Sequence, residues 1–128
     1  MNQHDETLHR ILSAAPVVPV LTIEDRTAAV PLARALVAGG LTALEITLRT
    51  AAGLDCIRAI AAEVEGANVG AGTVLDARQL DDAVRAGVKF LVSPGATPQL
   101  IEAAAACARA RRRRPDGDRD HASHRGWP

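Results

Sequence analysis

Residues 43–50 read ALEITLRT. Side chains alternate faces along a β-strand, so Leu44, Ile46 and Leu48 fall on one side and Glu45, Thr47 and Arg49 on the other. The first side is aliphatic and suits packing against helices. The second carries a carboxylate, a hydroxyl and a guanidinium in one line. On an antiparallel strand that pattern would describe a solvent-facing side. Here the neighbouring segments alternate strand and helix with short connections, which predicts a parallel sheet. Parallel strands are usually buried on both faces. A glutamate and an arginine turned into such an interior need partners, because an unpaired buried charge costs several kcal/mol.

Working outward, VVPVLT (17–22) predicts a compact strand. Pro19 is an awkward member of it, since proline donates nothing to a ladder. A short amphipathic helix over 6–14 precedes it, with Leu8, Ile11 and Leu12 on one side. RTAAVPLARALVA (26–38) predicts a helix with Pro31 in its early turns, where a kink is the risk, and Gly39–Gly40 stops it. After residue 50 a second helix covers 51–64. NVGAGTVL (68–75) predicts a third strand, Asp76 an N-cap for helix 77–86, and Gly87 its end. KFLVSPGA (89–96) predicts a fourth strand ending in a Pro-Gly turn. Thr97 caps a last helix over 98–109, with proline at its first position. Four strand–helix units in a row fit a doubly wound sheet or a barrel, and periodicity alone does not choose between them.

The character changes after residue 108. RARRRRPDGDRDHASHRGWP contains no Val, Leu, Ile or Met, so it cannot bury enough apolar surface to fold alone. A fifth strand is due there and none is written. Such a composition is what GC-rich DNA yields when read out of frame, and a frameshift near codon 108, natural or a sequencing error, is the expected origin. The chain therefore divides into a body, 1–108, and a disordered arginine-rich tail, 109–128. The body carries eight basic and twelve acidic side chains and the tail seven Arg and three Asp, so the zero formal charge conceals −4 against +4. The RRRR run resembles an anion-binding patch, but no aromatic residues interleave with it, so no nucleic-acid partner is expected. No apolar stretch approaches the ~18 residues of a membrane span. The N-terminus is not of signal-peptide type, and two cysteines without metal-ligand spacing fit a reducing cytoplasm. Neither His4 and His9 nor His121 and His124 have metal spacing within a credible element, so no metal is expected.

In a parallel sheet or barrel the chemistry sits at the C-terminal strand ends. There, Glu45 suits general acid–base work and Arg49 a clamp on a substrate carboxylate; alternatively the two simply pair. Gly70-Ala71-Gly72-Thr73 is weak as a nucleotide-binding signal, lacking a third spaced glycine and a P-loop lysine. It leaves room for a ligand with Thr73 offering a hydroxyl, or else is a tight strand end. Ser93-Pro94-Gly95 is either a plain turn or part of a pocket wall. Lys89 is the only lysine, and it stands at the start of a strand, the end associated with stability rather than catalysis.

Four segments, PVVPVL (16–21), ALVAGGLTALEITLRT (35–50), VGAGTVLDARQL (69–80) and FLVSPGATPQLI (90–101), resemble the bacterial 2-dehydro-3-deoxy-phosphogluconate (KDPG) / 4-hydroxy-2-oxoglutarate aldolase family over roughly residues 8–107. Pro19 and Pro31 fit that family's pattern. The resemblance implies an α/β protein of the (β/α)₈ TIM-barrel class, of which only the first four βα units are present. A complete barrel needs about 200 residues even at the small end. It implies a class I aldolase, a lyase of the Entner–Doudoroff pathway that forms a Schiff base, uses no metal or other cofactor, and assembles as a homotrimer. Its products are pyruvate with glyceraldehyde 3-phosphate, or pyruvate with glyoxylate. By the same resemblance Glu45 is the proton-shuttling glutamate, Arg49 and Thr73 hold the keto acid's carboxylate, and Pro94 lines the pocket. The Schiff-base lysine of the family lies on its sixth strand and the phosphate-binding backbone on later loops. Both are absent here, so this chain is expected to be inactive alone. The alternative is a non-catalytic half-barrel fragment that self-associates.

Overall fold

The structure, a computed structural model, describes residues 3–112. The elements run α1 (Gln3–Ser13), β1 (Val20–Leu21), a 3₁₀ turn (Arg26–Ala28), α2 (Ala29–Ala38), β2 (Ala43–Thr47), α3 (Gly53–Glu63), β3 (Asn68–Gly72), α4 (Ala77–Ala86), β4 (Phe90–Leu91) and α5 (Pro98–Arg112). The four strands form one sheet in the order β1-β2-β3-β4, every pair parallel. This is the architecture expected of four consecutive βα units. Most of the arginine-rich tail, residues 113–128, lies outside the described residues; its first positions continue α5 to Arg112.

One face of the sheet is covered by α2 to α5. Leu44 and Ile46 of β2, Val69 and Ala71 of β3, and Ile57, Ile60, Leu80, Ala83 and Leu100 of the helices form a single apolar cluster. Leu44, Ile46, Ile57 and Ile60 are completely buried, and each contributes roughly 1.5–3 kcal/mol of transfer free energy. The opposite face has a smaller cluster, Ile11 of α1 against Ala43 and Phe90, with Val18 at its margin. Helix α1 thus closes the N-terminal end of that inner face.

Element boundaries differ from the sequence reading where a local constraint intervenes. The strand expected over 17–22 shrinks to Val20–Leu21. Pro19 stands just outside it, and its carbonyl accepts from the Glu45 N–H at 3.0 Å, so the proline contributes the acceptor it has and forfeits no ladder donor. The helix expected over 26–38 begins as a 3₁₀ turn capped by Asp25, whose Oδ1 accepts from Thr27 N at 2.9 Å. The α-helix starts only at Ala29, which leaves Pro31 in the first turn, where an N–H has no intrahelical partner to lose. Strand β2 ends at Thr47 rather than 50, and residues 48–52 form the turn into α3, which begins at Gly53 rather than 51. Gly53 permits that short turn, because a Cβ there would stand 2.6 Å from the Thr47 carbonyl oxygen. Strands β3 and β4 likewise stop short of 75 and 96.

The helix caps fall where the sequence places them. Asp76 Oδ1 accepts from Gln79 N and Gln79 Oε1 accepts from Leu75 N, both at 2.8 Å. Gly87 takes the left-handed conformation after α4, at φ 104°, and Thr97 Oγ1 accepts from Leu100 N at 3.1 Å. Among the described residues no helix is long and apolar enough to cross a membrane. Cys56 is buried in the helix-side cluster, and desolvation, then the neighbouring Asp55 carboxylate, push its thiol above the ordinary value. Cys107 is only half-buried.

Two outcomes follow. Asp76→Ala lowers unfolding stability by about 1 kcal/mol, read from the urea midpoint at constant m; an unchanged midpoint rules out the cap as a stabilising contact. Mild iodoacetamide treatment of the native protein at pH 8 alkylates Cys107 well before Cys56, as peptide mass mapping reads; equal rates contradict the burial of Cys56.

Candidate active site

The inner face is built by register. Val20, Glu45, Gly70 and Phe90 are Cα partners across the four strands, and Thr47 pairs with Gly72 one step further toward the C-terminal ends. Residues of one parity therefore share a surface that no crossover helix covers. Glu45 and Thr47 are the two buried polar residues on it, 9% and 0% exposed. Leu44 and Ile46, of opposite parity, lock the strand to the helices behind, so the alternation of residues 43–47 decides which face the carboxylate takes.

Two glycines make room on that surface. A Cβ at Gly72 would land on the Glu45 carboxylate, and a Cβ at Gly70 would land on the Phe90 ring. The Glu45 side chain thus leans across β3 with its carboxyl group over Gly72, at the C-terminal end of the sheet. Sequence reasoning treated these small residues as space for a ligand beside the backbone or as a tight strand end; at Gly72 that space holds Glu45. The available signal was the matched parity of Gly70 and Gly72 with Glu45 and Thr47, which becomes informative only once the strand register is known. A second feature was missed for the same reason. Thr47 Oγ1 lies 2.9 Å from Thr22 Oγ1 at the end of β1, so the buried hydroxyl is satisfied by a residue 25 positions earlier.

Arg49 does not continue the strand line with Glu45. It lies beyond the end of β2, in the turn, and is exposed. Among the described residues Glu45 and Arg49 form no ion pair with each other; the ion pairs Arg58–Asp55 and Arg85–Asp81 lie on exposed helix surfaces. The Arg49 guanidinium instead points at Thr73, with Nη2 3.5 Å from Oγ1, a long contact. The turn carrying Arg49 is tied down on both sides, by Leu48 N donating to Gly72 O at 2.7 Å and by Thr50 Oγ1 donating to Ile23 O at 2.7 Å. A guanidinium beside a hydroxyl at the rim, with donors left over, can receive a carboxylate.

Pro94 is exposed in the turn after β4, which Ser93 Oγ closes by donating to Gly95 O at 2.5 Å. It occupies the same end of the sheet as Arg49 and Thr73. Lys89 is exposed and directly precedes Phe90 at the N-terminal end of β4, so its parity sends it to the other side from Phe90 and Glu45. Among the described residues no group of three or more His, Cys, Asp or Glu is placed to hold a metal ion.

Comparison with known proteins gives a consistent answer. The family model for KDPG and KHG aldolase matches residues 8–110. A 2-dehydro-3-deoxy-phosphogluconate aldolase of Pseudoalteromonas atlantica is 56% identical over 93 residues, which is 73% of this chain and 43% of that protein. The solved structure of the Zymomonas mobilis 2-keto-3-deoxy-6-phosphogluconate aldolase with 3-phosphoglycerate superposes with a TM-score of 0.74 at 52% identity, over 83% of this chain and 48% of that one. The Legionella pneumophila KDPG aldolase, solved with pyruvate captured as a covalent carbinolamine, gives a TM-score of 0.69 at 41% identity, over 73% and 45%. The chain spans about half the length of the curated relatives it matches.

The seat of Glu45 is testable by a double-mutant cycle. Gly72→Ala overpacks the inner face and destabilises the protein by about 1–3 kcal/mol. In a Glu45→Ala background the same change costs less than about half as much, because the clashing carboxyl group is gone. Equal costs in the two backgrounds, from urea unfolding, place Glu45 somewhere other than over Gly72.

Proposed function

The chain belongs to the KDPG and KHG aldolase family, and from that premise we propose that its four βα units carry the acid–base and carboxylate-recognition portion of a class I aldolase site. The reaction of the whole enzyme is cleavage of 2-dehydro-3-deoxy-6-phosphogluconate to pyruvate and glyceraldehyde 3-phosphate, or of 4-hydroxy-2-oxoglutarate to pyruvate and glyoxylate. The observation that carries the proposal is the placement of Glu45: a buried carboxyl group over a glycine, on the uncovered strand face, at the C-terminal end of a parallel sheet.

The chemistry assigns each group a task. An amine adds to the substrate's ketone carbon to give a carbinolamine, and loss of water gives an iminium. Removal of the C4 hydroxyl proton then breaks the C3–C4 bond, releasing an aldehyde and leaving the electron pair on C3 as an enamine. Protonation of C3 and hydrolysis return the amine and pyruvate. Glu45 is the group that carries these protons, delivering one to the carbinolamine hydroxyl as it leaves as water and accepting one from the C4 hydroxyl. Arg49, with Thr73 beside it, binds the keto acid's carboxylate and so fixes the ketone carbon near Glu45. Pro94 forms part of the wall on the same rim. These roles rest on the family's pattern at LEITLRT and GAGTV and on the common end of the sheet at which the four residues stand.

The amine is the missing part. Lys89 is the only lysine, and its position at the N-terminal end of β4 separates it from the rim. A carboxylate does not substitute for it, because only the iminium supplies the electron sink. This 128-residue chain alone is therefore proposed to be catalytically silent, with the cleavage belonging to a complete barrel.

Treatment with pyruvate and borohydride leaves the intact mass unchanged, and KDPG is not turned over, under conditions that trap and turn over a full-length relative. A covalent adduct mapped to Lys89 overturns the assignment.

A further inference from the structure

The paired register of β1 with β2 stops at Leu21 and Ile46. The attachment between the two segments continues past that point through side-chain hydroxyls. Thr22 and Thr47, the next residue of each segment, meet through their Oγ1 atoms at 2.9 Å, and Thr47 is fully buried. Further along the same turn, Thr50 Oγ1 donates to the Ile23 carbonyl at 2.7 Å. Thr50 and Leu48 are half-buried, whereas Arg49 between them is exposed. Leu48 N donates in the other direction, to the Gly72 carbonyl of β3 at 2.7 Å. The residue before Arg49 is thus bound to the third strand, and the residue after it to the segment that follows the first.

Arg49 has little of its own to hold it. Among the described residues its hydrogen-bond partner is Thr73, across a long contact of 3.5 Å. An exposed arginine keeps wide rotamer freedom, and freezing that freedom on binding an anion weakens the binding. A guanidinium fork also grips a carboxylate in bidentate fashion only when its plane is aimed at it. A backbone fixed one residue to either side leaves the guanidinium only its own side-chain torsions to search, starting from a place beside Thr73. Of the two anchors, the one at Leu48 is a backbone N–H that any residue but proline offers. The anchor at Thr50 exists only through a hydroxyl.

We propose that Thr50 is a positioning residue for carboxylate binding, with the Thr22–Thr47 pair as its support. Thr50 acts through Arg49: its bond to the Ile23 carbonyl fixes the turn, and the turn aims the guanidinium. Thr22 directly precedes Ile23, so tying Thr22 to the end of β2 sets where the accepting carbonyl lies. The inference rests on the reading of Arg49 as the carboxylate clamp and adds to it residues that make the clamp selective for one geometry.

Two measurements on the 128-residue chain test it: titration with pyruvate, and nitrogen NMR relaxation of the Arg49 backbone and Nε–H groups without ligand. Thr50→Val keeps the branched shape and removes the hydroxyl. It weakens pyruvate binding about three- to tenfold and increases fast motion at Arg49. Thr50→Ser restores both. Thr22→Val, which leaves Thr50 in place, moves both readouts in the same direction by less. Asp76→Ala, which weakens the fold from α4, moves neither. A Thr50→Val chain with a lower urea midpoint but wild-type motion and affinity overturns the proposal, as does failure of Thr50→Ser to recover them. A wild-type chain that does not bind pyruvate refutes the carboxylate reading instead. Relaxation at Arg49 in the Thr50 variants then still decides whether Thr50 positions it, with unchanged motion overturning the proposal.

Discussion

Pairing of β2 with β3 in a single register, Glu45 opposite Gly70 and Thr47 opposite Gly72, governs the remainder of the molecule. Behind the sheet it sets Leu44 and Ile46 beside Val69 and Ala71, in the cluster into which α3 and α4 pack. In front it sets a carboxylate and a hydroxyl beside two positions with no side chain. A slip of one residue would exchange the faces. Glu45 would enter the aliphatic cluster without a partner, at a cost of several kcal/mol, and Leu44 would meet the uncovered side. The helix-side core therefore enforces the geometry of the front face, although none of its residues belongs to the candidate site.

The two faces are unequally finished. The helix side is a continuous aliphatic core, whereas the front has only Ile11, Ala43 and Phe90 packed together at its N-terminal end. Above them come Glu45, Thr47 and the glycines, and then open edges. Rigidity on the front face comes instead from hydrogen bonds that cross between units: Thr47 to Thr22, Thr50 to the Ile23 carbonyl, and Leu48 N to the Gly72 carbonyl. Each ties a residue near the end of β2 to a neighbouring unit. The turn holding Arg49 is in this way positioned by backbone and hydroxyl contacts, which leaves the guanidinium with donors to spare.

Local chemistry in the sequence announces itself and long-range pairing does not. Asp76 before a helical pattern, Gly87 after it, and Thr97-Pro98 opening the last helix each act within a few residues, and each was legible. So was the alternation Leu44, Glu45, Ile46, Thr47, because burial of one face follows from it. Strand lengths were not legible. VVPVLT and KFLVSPGA are segments of six and eight residues, yet only Val20–Leu21 and Phe90–Leu91 lie in the sheet, since an edge strand has one neighbour to define it and both runs carry a proline. The contacts among the candidate site residues were not legible. The strand line through Glu45, Thr47 and Arg49 breaks after Thr47 because the chain turns there, so Arg49 meets Thr73 rather than Glu45. The seat over Gly72 depends on which residue of β3 faces β2, which no reading of either segment alone supplies.

A division of labour follows from where these groups lie in the chain. In the proposed function, recognition of a carboxylate by Arg49 and Thr73 would lower the energy of bound substrate and of the transition state alike, since the carboxylate does not change through the reaction. Such uniform binding does not by itself accelerate a chemical step. Acceleration requires charge that develops only on the way to cleavage. In the proposed chemistry that charge appears on the imine nitrogen and the C4 oxygen. On that proposal Glu45 addresses the second, and none of the proposed site residues addresses the first. The roles proposed for these βα units therefore amount to holding a keto acid in place and exchanging its protons. On the proposed chemistry the bond-breaking step depends on an amine, which none of the groups assigned to the rim supplies.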